Sequence, residues 1–483
     1  MTRQTRRDFL ERSMLAAAAA AAAGGSAAPL AAAPDSDSPN ERLQVAVIGV
    51  RGRGQSHLSA FSRRKDTEVV AVVDADEAIG QQRRDKLANV SGRKPKFFKD
   101  LRRVMDDKSI DIVSIATPNH WHALAAIWAI QSGKDVYVEK PVSHNVSEGR
   151  RIVQAARKYK RICQTGTQVR SSTGVQQAIQ FLHDGKLGKT NVARGLCYKR
   201  RGSIGARGNY DVPASVDYSL WLGPAPEKRL SRPRFHYDWH WQWDYGNGDL
   251  GNQGIHQMDI ARWGLGVSDV GRSVISYGGR LSYVDAGETA NTQVSIHDYG
   301  DSRLVFEVRG LPTKDHKGAK VGVIFECADG YMVIASYGGG AAFDSSGKMI
   351  KKFSGGGDHF GNFLAAVRSR KSSDLNADIL EGHLSSALCH LGNVSYRLGS
   401  EVTAGEVEKQ LDGDDEALGT FERMAGHLSE NNVELDKARL RLGTRLAIDG
   451  KREVITGSQA GKANPLLTRN YRKPFVVPSE KNV

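Results

Sequence analysis

Six residues, Gly49-Val50-Arg51-Gly52-Arg53-Gly54, have the types and spacing that could do chemistry before anything else in the chain does. They follow a short apolar run, Leu43 to Ile48, and precede a stretch with helical spacing that reaches Phe61. A second apolar run, Glu68 to Val73, then ends on Asp74, about twenty residues past the last glycine, the layout of a dinucleotide-binding βαβ unit. Glycines at 49, 52 and 54 let backbone approach a pyrophosphate, and the helix beginning near Gly54 offers free N–H groups to it. Asp74 can accept from ribose hydroxyls, and its charge favours NAD over NADP, with NADP left open by Arg51 and Arg53. The fingerprint is imperfect: Gly49 and Gly54 fill the first and third glycine positions, but Arg51 holds the middle one and Gly52 is displaced by one.

The elements around that turn continue the alternation. A helix spans about 78–88, followed by a strand at Phe97-Phe98, a helical turn to Met105, and a strand at 112–116. A helix over 121–131, a strand at 135–139, a helix near 147–159 and a strand at 162–165 complete the series. Such alternation predicts a doubly wound parallel sheet, whose ligands bind beyond the carboxyl ends of the strands. Thr117, Asn119 and His122 follow one such end, and Glu139 and Lys140 lie at another. These residues join Gly49, Arg51, Gly52, Gly54 and Asp74 as candidate cofactor contacts.

Beyond about residue 188 the pattern changes to strands with turns between them, at 192–198, 272–283, 292–297, 303–309, 321–327 and 331–336. The fold class expected is therefore α/β plus α+β: an N-terminal Rossmann domain over 43–168, then an open, mostly antiparallel sheet domain with helices over 169–400. Residues 401–483 read as a charged, partly helical tail without a core of its own. An irregular aromatic loop, 217–245, interrupts the second domain. In it His236 and His240, at a spacing of four, make a poor metal site because the loop is proline-rich and irregular. Tyr237 and Trp241 instead suit the apolar face of a sugar, and Gln168 and Arg170 could reach the same cleft.

At 40% hydrophobic and 25% charged residues the chain suits a globular fold, and nothing after the N-terminus is apolar enough to span a membrane. Its net charge of +14 is scattered among acids, which argues against nucleic acid as a partner. The N-terminus, Thr5-Arg6-Arg7-Asp8-Phe9-Leu10, then an alanine-rich run ending Ala31-Ala32-Ala33, reads as a twin-arginine signal over 1–33. It directs the protein, already folded, to the periplasm or cell envelope. Four separated cysteines make neither a zinc pattern nor a disulfide framework.

Glu139-Lys140-Pro141, the glycine turn, and Gly254-Ile255-His256-Gln257-Met258-Asp259 together resemble the glucose-fructose oxidoreductase, inositol dehydrogenase and rhizopine-catabolism (Gfo/Idh/MocA) family, particularly its exported twin-arginine members. The resemblance covers about residues 43–400. It implies a nicotinamide between the two domains, a small carbohydrate or polyol stacked on it, and a homo-oligomer assembled through the open sheet. It also implies that Lys140 donates to the substrate oxygen and relays a proton, and that His256 faces the sugar as base. Many members carry an aspartate four residues before that histidine; here it is Asn252, which can orient the ring but brings no charge. Asp259, three residues on, is expected to compensate. Gln168, Tyr237, Trp241 and His256 are the substrate contacts expected, and no metal is.

Three functions follow from this reading. One is an NAD(P)-dependent oxidoreductase of a sugar, sugar derivative or polyol, with tightly bound cofactor. A second is a glycoside-cleaving enzyme that oxidises a ring hydroxyl, eliminates the aglycone and re-reduces the product. The third is a catalytically silent carbohydrate-binding protein.

Overall fold

The computed structural model describes residues 41–483; the twin-arginine segment lies outside the described residues. Six strands form the first sheet: β1 (Leu43–Ile48), β2 (Thr67–Val73), β3 (Lys96–Phe98), β4 (Ile112–Ile115), β5 (Asp135–Val138) and β6 (Cys163–Thr165). All pairs are parallel, in the order β3-β2-β1-β4-β5-β6, so the direction in which strands are added to the sheet reverses between β1 and β4 and a crevice opens there. Period-two alternation assigns each side chain to a layer. Val45 and Val47 pack with Phe61 and Tyr137 on one face, while Ala46 and Ile48 join Val113, Ile127 and Val136 on the other. Buried on both faces, these strands read as unbroken apolar runs in the sequence.

The second sheet contains β7 (Thr190–Cys197), β8 (Ser273–Gly279), β9 (Thr292–Asp298), β10 (Arg303–Arg309), β11 (Val321–Cys327), β12 (Gly330–Ser336), β13 (Gly339–Asp344) and β14 (Met349–Ser354). Its order is β14-β13-β12-β11-β7-β10-β9-β8, antiparallel except for β7 beside β10. The sequence pattern missed β13 and β14. They form an edge hairpin with a glycine-rich first strand and a mostly exposed second, so neither carries the apolar alternation that marks a half-buried strand. The helices Gly254–Leu265 and Ile379–Arg397 pack against this sheet, and together they fill the largest core cluster.

Residues 401–483 add to both cores. β15 (Ser400–Val402), β16 (Leu440–Leu442), β17 (Leu446–Asp449) and β18 (Val454–Thr456) extend the second sheet beyond β8. The helices Ala404–Leu411 and Asp415–Glu430 cover its outer face through Val407, Leu411, Phe421 and Met424. The chain end then returns to the first domain, where Phe475, Val477 and Val483 enter its core. Phe475 lies edge-on to Trp121 at 5.4 Å between ring centroids, with the Arg102 and Arg472 guanidinium groups 5.2 and 5.0 Å from its own. Phe475→Ala should therefore lower stability by about 3–5 kcal/mol through the cavity it leaves. Urea unfolding followed by tryptophan fluorescence reads this directly, and a loss under about 1 kcal/mol would show that the chain end is only draped over the domain.

Candidate functional site

The turn after β1 is fixed by backbone geometry. Gly49 has φ of +79°, and a Cβ there would stand 2.7 Å from the Thr117 backbone nitrogen. A Cβ on Gly54 would stand 1.9 Å from the Gly49 carbonyl oxygen. Gly52, the displaced member of the fingerprint, is not required by space, since a Cβ there would meet nothing within 4 Å. The Val50 N–H donates to Asp74 at 2.8 Å and the Asp76 N–H donates to the other Asp74 oxygen at 3.0 Å. Asp74 thus closes the glycine turn as well as facing the crevice, and burial pushes its carboxyl up to about 6.

A cavity of about 440 Å³ extends from this turn into the space between the domains. Gly49, Arg51, Gly52, Asp74, Thr117, Asn119, His122, Glu139, Lys140 and Gln168 line it at the first domain, and Tyr237, Asn252 and His256 at the second. Gly54 does not line it and instead permits the close packing of the first helix, Gly54–Ser62, under the turn. The open face at Gly52, the packed turn and the paired Asp74 carboxylate fit a dinucleotide: glycine backbone for pyrophosphate, Asp74 for ribose.

Glu139 organises the middle of the cavity. Its carboxylate accepts from Arg53 Nε at 2.8 Å and Gln168 Nε2 at 3.2 Å, and it faces His57 Nε2 at 3.1 Å. Burial alone would raise its pKa, but His57 and Arg53 hold it well below the usual carboxylate range. His57 and Arg53 carry no motif that marks them; His57 faces inward from the first helix and hydrogen-bonds Ser114 at 2.8 Å. His122 stands between two carbonyl oxygens, of Thr117 at 2.7 Å and Pro141 at 2.5 Å, and as a neutral ring donates to one of them, between the ends of β4 and β5.

Lys140 crosses the domain boundary, donating from Nζ to the Asn252 carbonyl oxygen at 2.7 Å. Burial lowers its pKa, partly offset by the Glu139 charge. His256 is buried on the helix Gly254–Leu265, 5.1 Å between ring centroids from Tyr337. Burial and then the Lys140 charge hold its pKa well below the ordinary value, so the imidazole is neutral near pH 7. Its Nδ1 has no hydrogen-bond partner among the described residues. Lys140, His256 and Tyr337 therefore converge on one end of the cavity. Tyr337, on the tight turn between β12 and β13, had no signal in the sequence.

Several expected contacts are corrected by this geometry. Asn252 contributes its backbone carbonyl to Lys140, and its side chain does not orient His256 through a hydrogen bond to Nδ1. Asp259 does not compensate for it, because the fully buried Asp259 carboxylate is taken by Arg170 Nε and Nη2 at 2.7 and 2.9 Å and by Ser385 Oγ at 2.7 Å. Arg170 is consumed by that pair and by Glu381 at 3.0 Å, so it does not reach the cleft. Trp241 is buried in a small cluster with Ile204 and Ala286, beneath Arg201, and does not line the cavity. Trp239 and His240, stacked at 3.6 Å between centroids, line it in Trp241's place, with Tyr237 at the rim. His236 is paired with Asp76 at 2.9 Å, and among the described residues no cluster of three His, Cys, Asp or Glu could hold a metal.

The comparisons with known proteins agree with this architecture. Residues 43–167 match the model of the GFO_IDH_MocA oxidoreductase family, NAD-binding Rossmann fold, and residues 204–423 match its C-terminal alpha/beta domain. The chain is 34% identical over 127 residues to the Glycosyl hydrolase family 109 protein 1 of Shewanella sp. (strain MR-4), covering 26% of this chain and 28% of that protein. It therefore spans little more than a quarter of the length of the first curated relatives it matches. It is 26% identical over 247 residues to the levoglucosan dehydrogenase of Pseudarthrobacter phenanthrenivorans, covering 49% of this chain and 54% of that one. The WlbA dehydrogenase of Bordetella pertussis, solved with NADH and UDP-GlcNAcA, shares the fold at a TM-score of 0.53 and 16% identity. That likeness covers 73% of this chain and 96% of the other.

Two substitutions separate the roles described. Gly54→Ala should weaken cofactor binding by roughly tenfold or more, equivalent to about 1.4 kcal/mol, because its methyl displaces the Gly49 carbonyl; titration calorimetry reads the change. Asp259→Asn should cost about 3 kcal/mol of stability by leaving Arg170 under-paired, while the pH profile of turnover keeps its midpoints. A shifted profile at unchanged stability would return Asp259 to the catalytic group.

Proposed function

Because the chain belongs to the Gfo/Idh/MocA oxidoreductase family and carries its NAD-binding Rossmann domain, we propose that it is an NAD-dependent oxidoreductase acting on a sugar, sugar derivative or polyol with a tightly held cofactor. The observation that carries this reading is the convergence of Lys140, His256 and Tyr337 on the cavity that begins at the glycine turn. When bound, the nicotinamide supplies a hydride acceptor and donor. The Gly49 to Gly54 turn, Asp74, Asn119 and Glu139 would hold it. Lys140, whose charged form burial disfavours, gives and takes a proton at the substrate oxygen, and its bond to Asn252 aims the amine. His256, neutral and with Nδ1 unpartnered, accepts a hydroxyl proton. Trp239 and Tyr237 offer the sugar its apolar face, and Gln168, held by Glu139, a polar one.

The likeness to Glycosyl hydrolase family 109 proteins in the Rossmann half favours a second reading. In it the same residues serve a redox-neutral cycle that oxidises a ring hydroxyl, eliminates the neighbouring aglycone and restores the hydroxyl. The twin-arginine leader supports a cofactor loaded before export to the periplasm or envelope, where little soluble NAD is to be had.

Protein purified from the exported fraction should carry near-stoichiometric nicotinamide through desalting, as mass spectrometry of the folded protein measures. Turnover on a panel of glycosides and polyols should need no added NAD. Release of the aglycone without net reduction selects the second reading, and net product oxidation coupled to a carbonyl acceptor the first; protein that arrives empty and turns over only with excess NAD ends the retained-cofactor account. Lys140→Ala should lower turnover by about two or more orders of magnitude while cofactor stays bound, since it removes stabilisation of the developing oxyanion. His256→Ala should behave alike, with recovery at higher pH where hydroxide replaces the base.

A further inference from the structure

A second cavity, of about 420 Å³, lies on the far side of Asn247 from the cofactor crevice. Asn247 accepts from Asn119 Nδ2 at 3.1 Å and donates to the His144 carbonyl oxygen at 3.1 Å, so this side chain forms part of the wall between the two spaces. The cavity is bounded by His144, Trp243, Asn393, Arg397 and Arg469 among others, with Asp244 at its edge.

The polar atoms of this cavity are mismatched in one direction. Arg469 Nη1 donates to the Asp244 carbonyl oxygen at 3.0 Å and to His144 Nδ1 at 3.1 Å. A guanidinium has no acceptor, so His144 Nδ1 must carry the lone pair and Nε2 the hydrogen. Burial, followed by the Arg469 charge, keeps His144 neutral, which agrees with that tautomer. His144 Nε2 and Arg469 Nη2 are both buried, and neither has a hydrogen-bond partner among the described residues. Both are donors. Arg397, at the mouth, spreads its guanidinium 5.1 Å from the centroid of the Trp243 ring and pairs with no carboxylate among the described residues. The Asp244 carboxylate is taken by Lys228 at 2.6 Å, so it neutralises neither arginine by direct contact.

Two unpaired buried donors, two guanidinium groups, an indole face and a space of monosaccharide size call for a ligand rich in acceptors. We propose that this cavity is a second binding site, for a small hydroxylated molecule bearing an oxyanion, a carboxylate or phosphate carried on a sugar-sized body. The oxyanion lies between Arg397 and Arg469, where charge-assisted hydrogen bonds are strongest, and the body lies along Trp243. One side of the site is built by the segment 465–470, in the part of the chain that follows the second family domain. It stands independently of the redox reading of the first cavity, which contains none of the residues named for the second.

Titration calorimetry on the full-length chain with its cofactor tests the site, with D-gluconate, D-glucose 6-phosphate, inorganic phosphate and D-glucose as probes. Saturable binding of gluconate or glucose 6-phosphate, with glucose at least tenfold weaker, is expected; the stronger of the two identifies a carboxylate or a phosphate. Binding by inorganic phosphate as tight as by the sugar phosphate would overturn the part assigned to the sugar body. Arg397→Gln, which breaks no side-chain hydrogen bond among the described residues, and Arg469→Gln should each weaken binding at least tenfold, and Arg397→Lys should keep part of it. Trp239→Ala, at a residue that lines the first cavity and not the second, should leave it unchanged. No saturable binding of either anion, or binding indifferent to Arg397→Gln, overturns the proposal; should Arg469→Gln fail to fold, the Arg397 pair of variants decides alone.

Discussion

The Glu139 carboxylate is the constraint on which the rest of the site depends. A buried carboxylate is stable only when its lone pairs are met, and the groups that meet it come from separate parts of the chain: Arg53 from the glycine turn, His57 from the helix behind it, and Gln168 from the chain leaving β6. A Cβ on Gly166 would stand 2.8 Å from this carboxylate, so the chain leaving β6 must pass it without a side chain. The anion thereby fixes the distance between the dinucleotide turn and the substrate end of the cleft. The next residue, Lys140, inherits that placement and reaches across to Asn252.

The same carboxylate sets the electrostatics. Burial disfavours the charged forms of Lys140 and His256 alike, and the Glu139 charge opposes this for both. Lys140 in turn suppresses the charge on His256. The charge on His256 is thus opposed by a neighbouring cation as well as by burial, an inequality that suits a donor and an acceptor acting on one hydroxyl. No aspartate beside His256 is needed for that inequality, since burial and Lys140 supply it. The substitution of Asn252 for the acid of many relatives therefore leaves the arrangement intact, and the buried Asp259 is free to hold Arg170 and Ser385 in the core.

The dinucleotide half was legible in the sequence because backbone geometry dictates it. Gly49 must be glycine for its φ and Gly54 for its proximity to Gly49, and the strands on either side are continuous apolar runs. The substrate half was less legible because its residues are selected by tertiary packing. Trp241 and Trp239 are two apart in one loop, and only the short 3₁₀ turn Asp238–Trp241 decides that the first is buried and the second faces the cavity. Asp259 was misplaced for a related reason: helical spacing puts it roughly on the side of His256, but at this depth the helix is buried all round and both sides meet protein. β13, β14 and the chain end were missed or detached because their alternation is weak, and their stabilisation comes from neighbours distant in sequence.

The aromatic loop also explains how the two halves stay closed. The Glu77 N–H donates to Ser215 at 2.8 Å, the Asp217 N–H donates to Ala75 at 2.9 Å, and His236 meets Asp76 at 2.9 Å, so the loop is tied to the end of β2 beside Asp74. These ties are short-range in space but join residues more than a hundred positions apart. Those at 215–217 are backbone to backbone, which no single side-chain change removes. Trp221 extends the attachment, since its carbonyl oxygen accepts from Trp121 at 3.1 Å and its ring packs with Phe235 and Tyr245. Anything that leaves the cavity by the adenosine end must break several of these bonds together, and a cooperative opening of that kind is slow compared with the loss of one contact. Such an attachment would slow the exit of a bound dinucleotide without demanding unusual affinity from the glycine turn itself.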